Sequence, residues 1–188
     1  MRLVASLALC AAALPAAAND FLPQLEALVE TELAAWAADP AIIAAIRAQN
    51  VRTAGYGEAQ VLEMDNAWRA EVGTAATPTI DMVMNAPLSS ELLNRVEGSM
   101  GRMTEVFVMD AVGLNVAASG VTSDMWQGDE AKWQETYGVG AGAVHYGEVE
   151  YDESTQQYLT QVSMTVSDPV TGEPIGAITF GINAESLL

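Results

Sequence analysis

Basic residues are scarce. Seven Lys and Arg stand against 25 Asp and Glu in 188 residues, a formal charge of −18. Binding nucleic acid needs clustered cations against phosphate, so that class of partner is excluded. Cysteine occurs once, Cys10, and histidine once, His145. The chain therefore has no internal disulfide, and a zinc site of the usual kind lacks its ligands. The longest apolar run, Leu3 to Ala18, falls short of the ~20 residues a membrane span needs. No acidic spacing matches a calcium loop, and no Gly-x-Ser-x-Gly segment presents a nucleophilic serine to His145. Internal repeats and low-complexity linkers are also lacking. What is abundant is apolar residues, 51% of the chain. That excludes an acidic disordered polymer and suffices for one ordinary domain with a real core.

The first 18 residues read as an export leader. Met1-Arg2 supplies the positive end, Leu3 to Leu14 the apolar stretch, and Pro15-Ala16-Ala17-Ala18 the small residues a signal peptidase reads. Cleavage after Ala18 removes Cys10. A lipid anchor on Cys10 is disfavoured because more apolar residues and the cleavage site follow it. The remaining chain, 19–188, is expected to be soluble outside the cytoplasm, in the periplasm.

The rest divides by composition into a mainly helical part, 19–100, and a strand-rich part, 103–185. Phe21, Leu25, Leu28, Val29, Leu33 and Trp36 recur at helical spacing, with Pro23 in the first turn. Asp39-Pro40 opens a second helix through Ile42, Ile43 and Ile46 to Asn50. A third covers about 57–72, with Val61, Leu62, Met64 and Trp68 as its apolar positions. Short helices are expected at 80–84 and 89–100, the latter capped by Ser89 or Ser90 with Leu92, Leu93 and Val96 inward.

The period then changes. Glu105 to Met109 reads as a strand, Asp110-Ala111-Val112-Gly113 as a turn, and Leu114 to Ser119 as the returning strand. Residues 120–142 form a loop carrying a short acidic, Trp-bearing helix. Three strands follow, at about 143–151, 156–167 and 174–183, joined by turns at 152–155 and 168–172. Strands joined by tight turns pair antiparallel. The expected fold class is α+β: a five-stranded antiparallel sheet with a long N-terminal helix and further helices on one face.

This order of parts resembles a Cache domain, the extracytoplasmic, PAS-like PDC sensor fold. The resemblance is carried by the hairpin Val106 to Ser119, the acidic loop Ser123 to Lys132-Trp133, and the run Tyr151 to Ile178 with its Asp-containing turn and Ile-Gly closing strand. It covers about 103–183, plus the long first helix. It implies a small-molecule pocket between the sheet and its covering loop, as in chemoreceptors and histidine kinases. The lack of a membrane-spanning run or signalling domain makes this look like a free-standing member.

The loop draws attention first, since it places Trp126, Asp129, Lys132 and Trp133 within ten residues. Trp offers a flat apolar face and an N–H, as pockets require. Asp129 and Lys132, three apart on a helical turn, are placed to pair with each other or with a zwitterionic ligand. Both Trp equally fit packing of the loop on the sheet. Amino-acid-binding Cache domains carry Arg-x-Trp-Tyr here. Trp133 matches the Trp, but Ala131 and Gln134 stand where the Arg and Tyr would be, and Lys132 is a point charge rather than a bidentate fork. The resemblance assigns Asp168 to a ligand amine, although Asp168 is also a natural turn residue before Pro169. Asp152 is open to the same two readings. Tyr146 and Tyr158 are candidate aromatic walls and His145 a candidate hydrogen-bonding group. Arg69 is expected to pair with Asp65 at i, i+4.

The expected ligand-binding residues are thus Trp126, Asp129, Lys132, Trp133, Tyr146 and Asp168, with no catalytic residue, metal or cofactor. The expected function is a secreted, non-catalytic sensory module. Its ligand is a small polar molecule: an amino-acid derivative, a carboxylate or an amine. The alternative is an interaction protein that dimerises through the first helix or docks on a membrane-bound sensor.

Overall fold

Four of the seven prolines open helices, where a missing N–H costs nothing. The computed structural model describes residues 20–153 and 156–188; the expected leader, 1–18, and residues 154 and 155 of one expected turn lie outside them. Leu22–Leu28 continues through one π turn, Val29–Leu33, into Ala34–Ala37, giving the N-terminal helix. Pro40–Thr53 follows, with Asp39 as its N-cap: the carboxylate accepts from Ala41 N at 2.8 Å. Glu58–Glu71 is the third helix. The carboxylate of Glu71 caps the next, Pro78–Met84, by accepting from Thr79 N and Ile80 N. The fifth is Pro87–Gly98. It is opened by Ala86-Pro87 rather than by Ser89 or Ser90. Ser89 is instead buried, donating to Val83 O and accepting from Ala118 N. Leu93, expected inward, is exposed, as is Leu62 among the apolar positions of the third helix, and the charged Asp65 takes a buried place beside Val61 and Trp68.

The strands are β1 Met103–Met109, β2 Asn115–Ala118, β3 Val144–Tyr146, β4 Glu150–Asp152, β5 Gln157–Ser167 and β6 Pro174–Asn183. The sheet runs β2-β1-β6-β5-β3, antiparallel throughout, with β4 also on β5. Six strands replace the expected five because the segment 143–151 breaks at Gly147 into β3 and β4, both on β5. The hairpin turn forms as expected: Asp110 Oδ1 accepts from Val112 N and Leu114 N, and Gly113 takes φ +87°.

The helices cover both sheet faces, not one. On one face Val106, Val108, Val162, Met164, Val166, Ile178, Phe180 and Ile182 pack with Leu25, Leu28, Leu33, Ile42, Ile46 and Leu92. The alternate residues Phe107, Met109 and Ala177 pack on the other face with Val61, Trp68, Ile80 and Val83. Both strand faces are apolar at β1, so a strict polar–apolar alternation never marks one side as solvated. The stripe Leu25, Leu28 and Leu33, considered for dimerisation, is consumed by the core of its own chain.

Candidate ligand-binding site

Strand register places the site. On the second sheet face, Phe107, Thr179, Ser163 and His145 form one rung across β1, β6, β5 and β3. Two residues along, Glu105, Gly181 and Gln161 form the next, beside Gly147. The first rung is covered by the connection 120–142, and the second is open. There a cleft of about 540 Å³ is lined by Thr104, Glu105, Gln161 and Gly181 on the sheet and by Glu148, Glu150, Asp152 and Glu153 around β4.

Gly181 makes the floor. A Cβ there would lie 2.6 Å from both Glu105 Cγ and Thr104 Oγ1. The bare backbone lets Gln161 Nε2 reach across β6 to Glu105 Oε1 at 3.0 Å. A register shift between Met103 and Glu105 in β1 brings Thr104 and Glu105 together at this point. Five carboxylates line the cleft, and no Lys or Arg stands among the described lining residues.

The covering connection is fastened first. Asp65 Oδ1 accepts from Met125 N and Trp126 N, Trp68 Nε1 donates to Thr122 O at 2.8 Å, and Arg69 bonds Asp65 at 2.7 Å and Asp124 at 3.1 Å. The Arg69–Asp65 pair is the one expected from the i, i+4 spacing. Ala131–Gln134 forms the short Trp-bearing helix.

The structure disperses the sequence candidates. Trp126 donates from Nε1 to Val112 O at 2.9 Å, so its polar group is committed to the hairpin turn. Trp133 does the same with Asp110 O at 3.1 Å, and its ring lies 5.0 Å from Tyr137. Lys132 does not pair with Asp129. Its ammonium bonds Glu130 at 2.9 Å and Gln127 Oε1 at 3.2 Å and sits 5.3 Å from the Phe107 ring centroid. The helical turn begins only at Ala131, so Asp129 precedes it and is exposed, within electrostatic reach of Arg69. Tyr146 lies on the opposite sheet face, against the first core, because successive strand residues alternate. Burial, then Glu26 and Glu30, pushes its phenol pKa up. Its neighbour His145 is the one that faces the site, with Nδ1 2.8 Å from Glu135 Oε2. Asp168 is a turn and anchor residue. It accepts from Val170 N and Thr171 N and from Arg47 Nε at 3.0 Å, and Arg47 first among these holds its carboxyl below the usual range. Tyr158 is exposed, its ring tilted at 57° to that of Tyr151 with centroids 5.1 Å apart. Asp152 does line the cleft.

Sequence reading missed Glu105, Gln161 and Gly181. The signals were present: Glu105 is two residues from Phe107, and a glycine inside an apolar strand marks a close approach. At the other end of β1, Asp110 is fully buried. Burial pushes its carboxyl pKa up, against the N–H groups of Leu114 and Val112, Thr53 Oγ1 at 3.0 Å and Gln49 Nε2 at 3.2 Å. Among the described residues, no group of three or more His, Cys, Asp or Glu is placed to hold a metal ion, and no helix is long and apolar enough to cross a membrane.

No family model matches the chain, and no curated protein matches it significantly. Solved structures similar to it are sensory domains. One is the GABA-bound ligand-binding domain of the Pseudomonas aeruginosa PAO1 amino-acid chemoreceptor PctC (12% identity, TM-score 0.38, 67% of this chain and 53% of that one). Another is the sensor domain of the V. cholerae histidine kinase DctB (11%, 0.41, 87% and 59%). A third is the isoleucine-bound sensory domain of a Campylobacter jejuni chemoreceptor (13%, 0.39, 90% and 66%). The chain spans 53 to 66% of the length of these three. On its own helices and strands the chain has an α+β fold with a six-stranded antiparallel sheet, and the solved structures it is similar to are sensor domains of chemoreceptors and a histidine kinase.

Proposed function

We propose that this chain is an exported, non-catalytic Cache-type module that binds a small cationic molecule in the cleft over Gly181. The observation that carries the reading is the lining: Glu105, Glu148, Glu150, Asp152 and Glu153 surround a cavity of small-ligand size with no cation among the described lining residues. A carboxylate entering it meets like charge, whereas an ammonium gains from every wall. The resemblance of 103–183 to Cache domains supports the sensory role, and leader-like residues 1–18 support export. Of the ligand classes read from the sequence, amines are favoured over carboxylates and plain amino acids. Asp129, Asp168 and Tyr146 have no part in this site; Lys132 and Trp133 cover the rung above it.

The test is a thermal-shift panel of monoamines, α,ω-diamines, amino acids and dicarboxylates on the exported protein. A hundredfold excess over Kd adds about 2.7 kcal/mol of stability, which is easily seen as a rise in Tm. Amines raise Tm, dicarboxylates do not, and Glu105→Gln with Glu150→Gln removes the shift. A shift from dicarboxylates but not amines refutes the reading. Mass spectrometry of the exported product tests the leader: its first residue should be Asn19.

A further inference from the structure

We propose that residues 129–142 form a flap over the inner end of the cleft, held shut by a side-chain latch between Glu135 and His145. The half of the connection before it is bound by Asp65, Trp68, Arg69 and Asn115 at several points. Beyond Gly128 the polar bonds to the rest of the domain are few: Trp133 Nε1 on Asp110 O, and His145 Nδ1 on Glu135 Oε2 at 2.8 Å. Trp133 and Tyr137 also pack on the second core, Thr136 is buried, and Lys132 lies over Phe107. Four helical residues are followed by Gly138, Gly140 and Gly142, the last two at φ +131° and +77°. Backbone of this kind suits glycine and absorbs hinge motion.

What lies beneath gives the flap a use. Ser163, Thr165 and Thr179 are buried on the covered face. Ser163 and Thr179 hydroxyls bond each other at 2.9 Å, and Thr165 Oγ1 has no hydrogen-bond partner. His145 pairs in register with Ser163, one rung inward from Gln161. The latch therefore stands where the open cleft ends. Release lengthens the cleft by one rung, two residues or roughly 7 Å of strand, over Phe107, Thr179 and Ser163. The flap thus sets the length of ligand the cleft accepts. This use rests on the cleft reading; the latch itself does not.

Hydrogen–deuterium exchange on the ligand-free chain tests the latch. Glu135 is exposed, so Glu135→Ala leaves the fold intact. It should speed exchange of the amides of Glu135, Thr136, Gly138, Val139 and Gly140 about tenfold, with β5 and β6 unchanged. Unchanged flap exchange, or a rise spread equally into β5, overturns the latch. A Glu135→Cys/His145→Cys pair, bridged through mixed disulfides by a bifunctional methanethiosulfonate reagent that spans the two side chains, then locks it. The locked protein should keep the Tm shift from a short monoamine and lose that from a long α,ω-diamine, with reduction restoring it. A long diamine that still binds the locked form overturns the length gate. No binding of any amine to the wild type sinks the cleft reading and leaves the exchange result to judge the latch.

Discussion

Replacing Gly181 with Ala tests the architecture of the cleft most directly. The new Cβ would stand 2.6 Å from Glu105 Cγ and from Thr104 Oγ1, and 3.2 Å from Glu105 Oε1. Non-bonded carbon atoms rest at about 3.5–4.0 Å, so the Glu105 contact is about an ångström too short, and the contact with the smaller Thr104 oxygen is also inside van der Waals distance. Glu105 must swing away, which breaks its 3.0 Å bond from Gln161 Nε2. Overpacking of this kind costs about 1–3 kcal/mol and the lost hydrogen bond about 0.5–1.5. Against this, Ala in a strand gains about 0.5–1 kcal/mol over Gly, and Gly181 is not in the left-handed region that would forbid a side chain. The net is a loss of about 1–3 kcal/mol. Urea unfolding measures it. Glu105→Ala removes one of the two clashes, so the double variant should show a coupling of about 1 kcal/mol. If Gly181→Ala is as stable as the wild type, or the cycle is additive, the bare-backbone floor is wrong.

Further outcomes follow from the same contacts. Burial raises the pKa of Asp110 in the folded state, so its contribution is largest below the unfolded carboxylate value and is lost as pH rises through the folded one. Urea melts across pH 4 to 8 should therefore show wild type losing stability relative to Asp110→Asn as pH increases. Asp168 behaves oppositely. Arg47 lowers its pKa, so the advantage of wild type over Asp168→Asn is present near neutrality and fades as pH falls, while amine binding by titration calorimetry is the same in both. Trp68 is fully buried and donates to Thr122 O, so Trp68→Ala should cost about 3–5 kcal/mol in chemical unfolding. Amine affinity should fall steeply between low salt and 0.5 M NaCl, since exposed carboxylates are screened.

The chain by itself determined most of the elements. Pro23 and Pro40 in first helical turns, Asp39 as a cap, Asp110 and Gly113 in the hairpin turn and the change of period near residue 103 are local signals, and local chemistry decides them. The resemblance to sensor domains was legible for the same reason, since it rests on turn residues and strand order. It was also plain that Arg69 would find Asp65, four residues away on one helix. The faces were not legible. Phe107 and Val106 are both apolar, and only packing against two sets of helices shows which core each enters. His145 and Tyr146 are neighbours in sequence and lie on opposite sides of the sheet, and the sequence does not tell which of them faces the cleft. Asp168 looked equally like a turn former and a ligand contact until Arg47, 121 residues away, occupied it. Glu105, Gln161 and Gly181 come from three different strands and meet only through register. Spacing along one segment speaks for a turn or a helix, but a cleft is made by residues whose separation is set by the hydrogen-bonded ladder, and that is tertiary information.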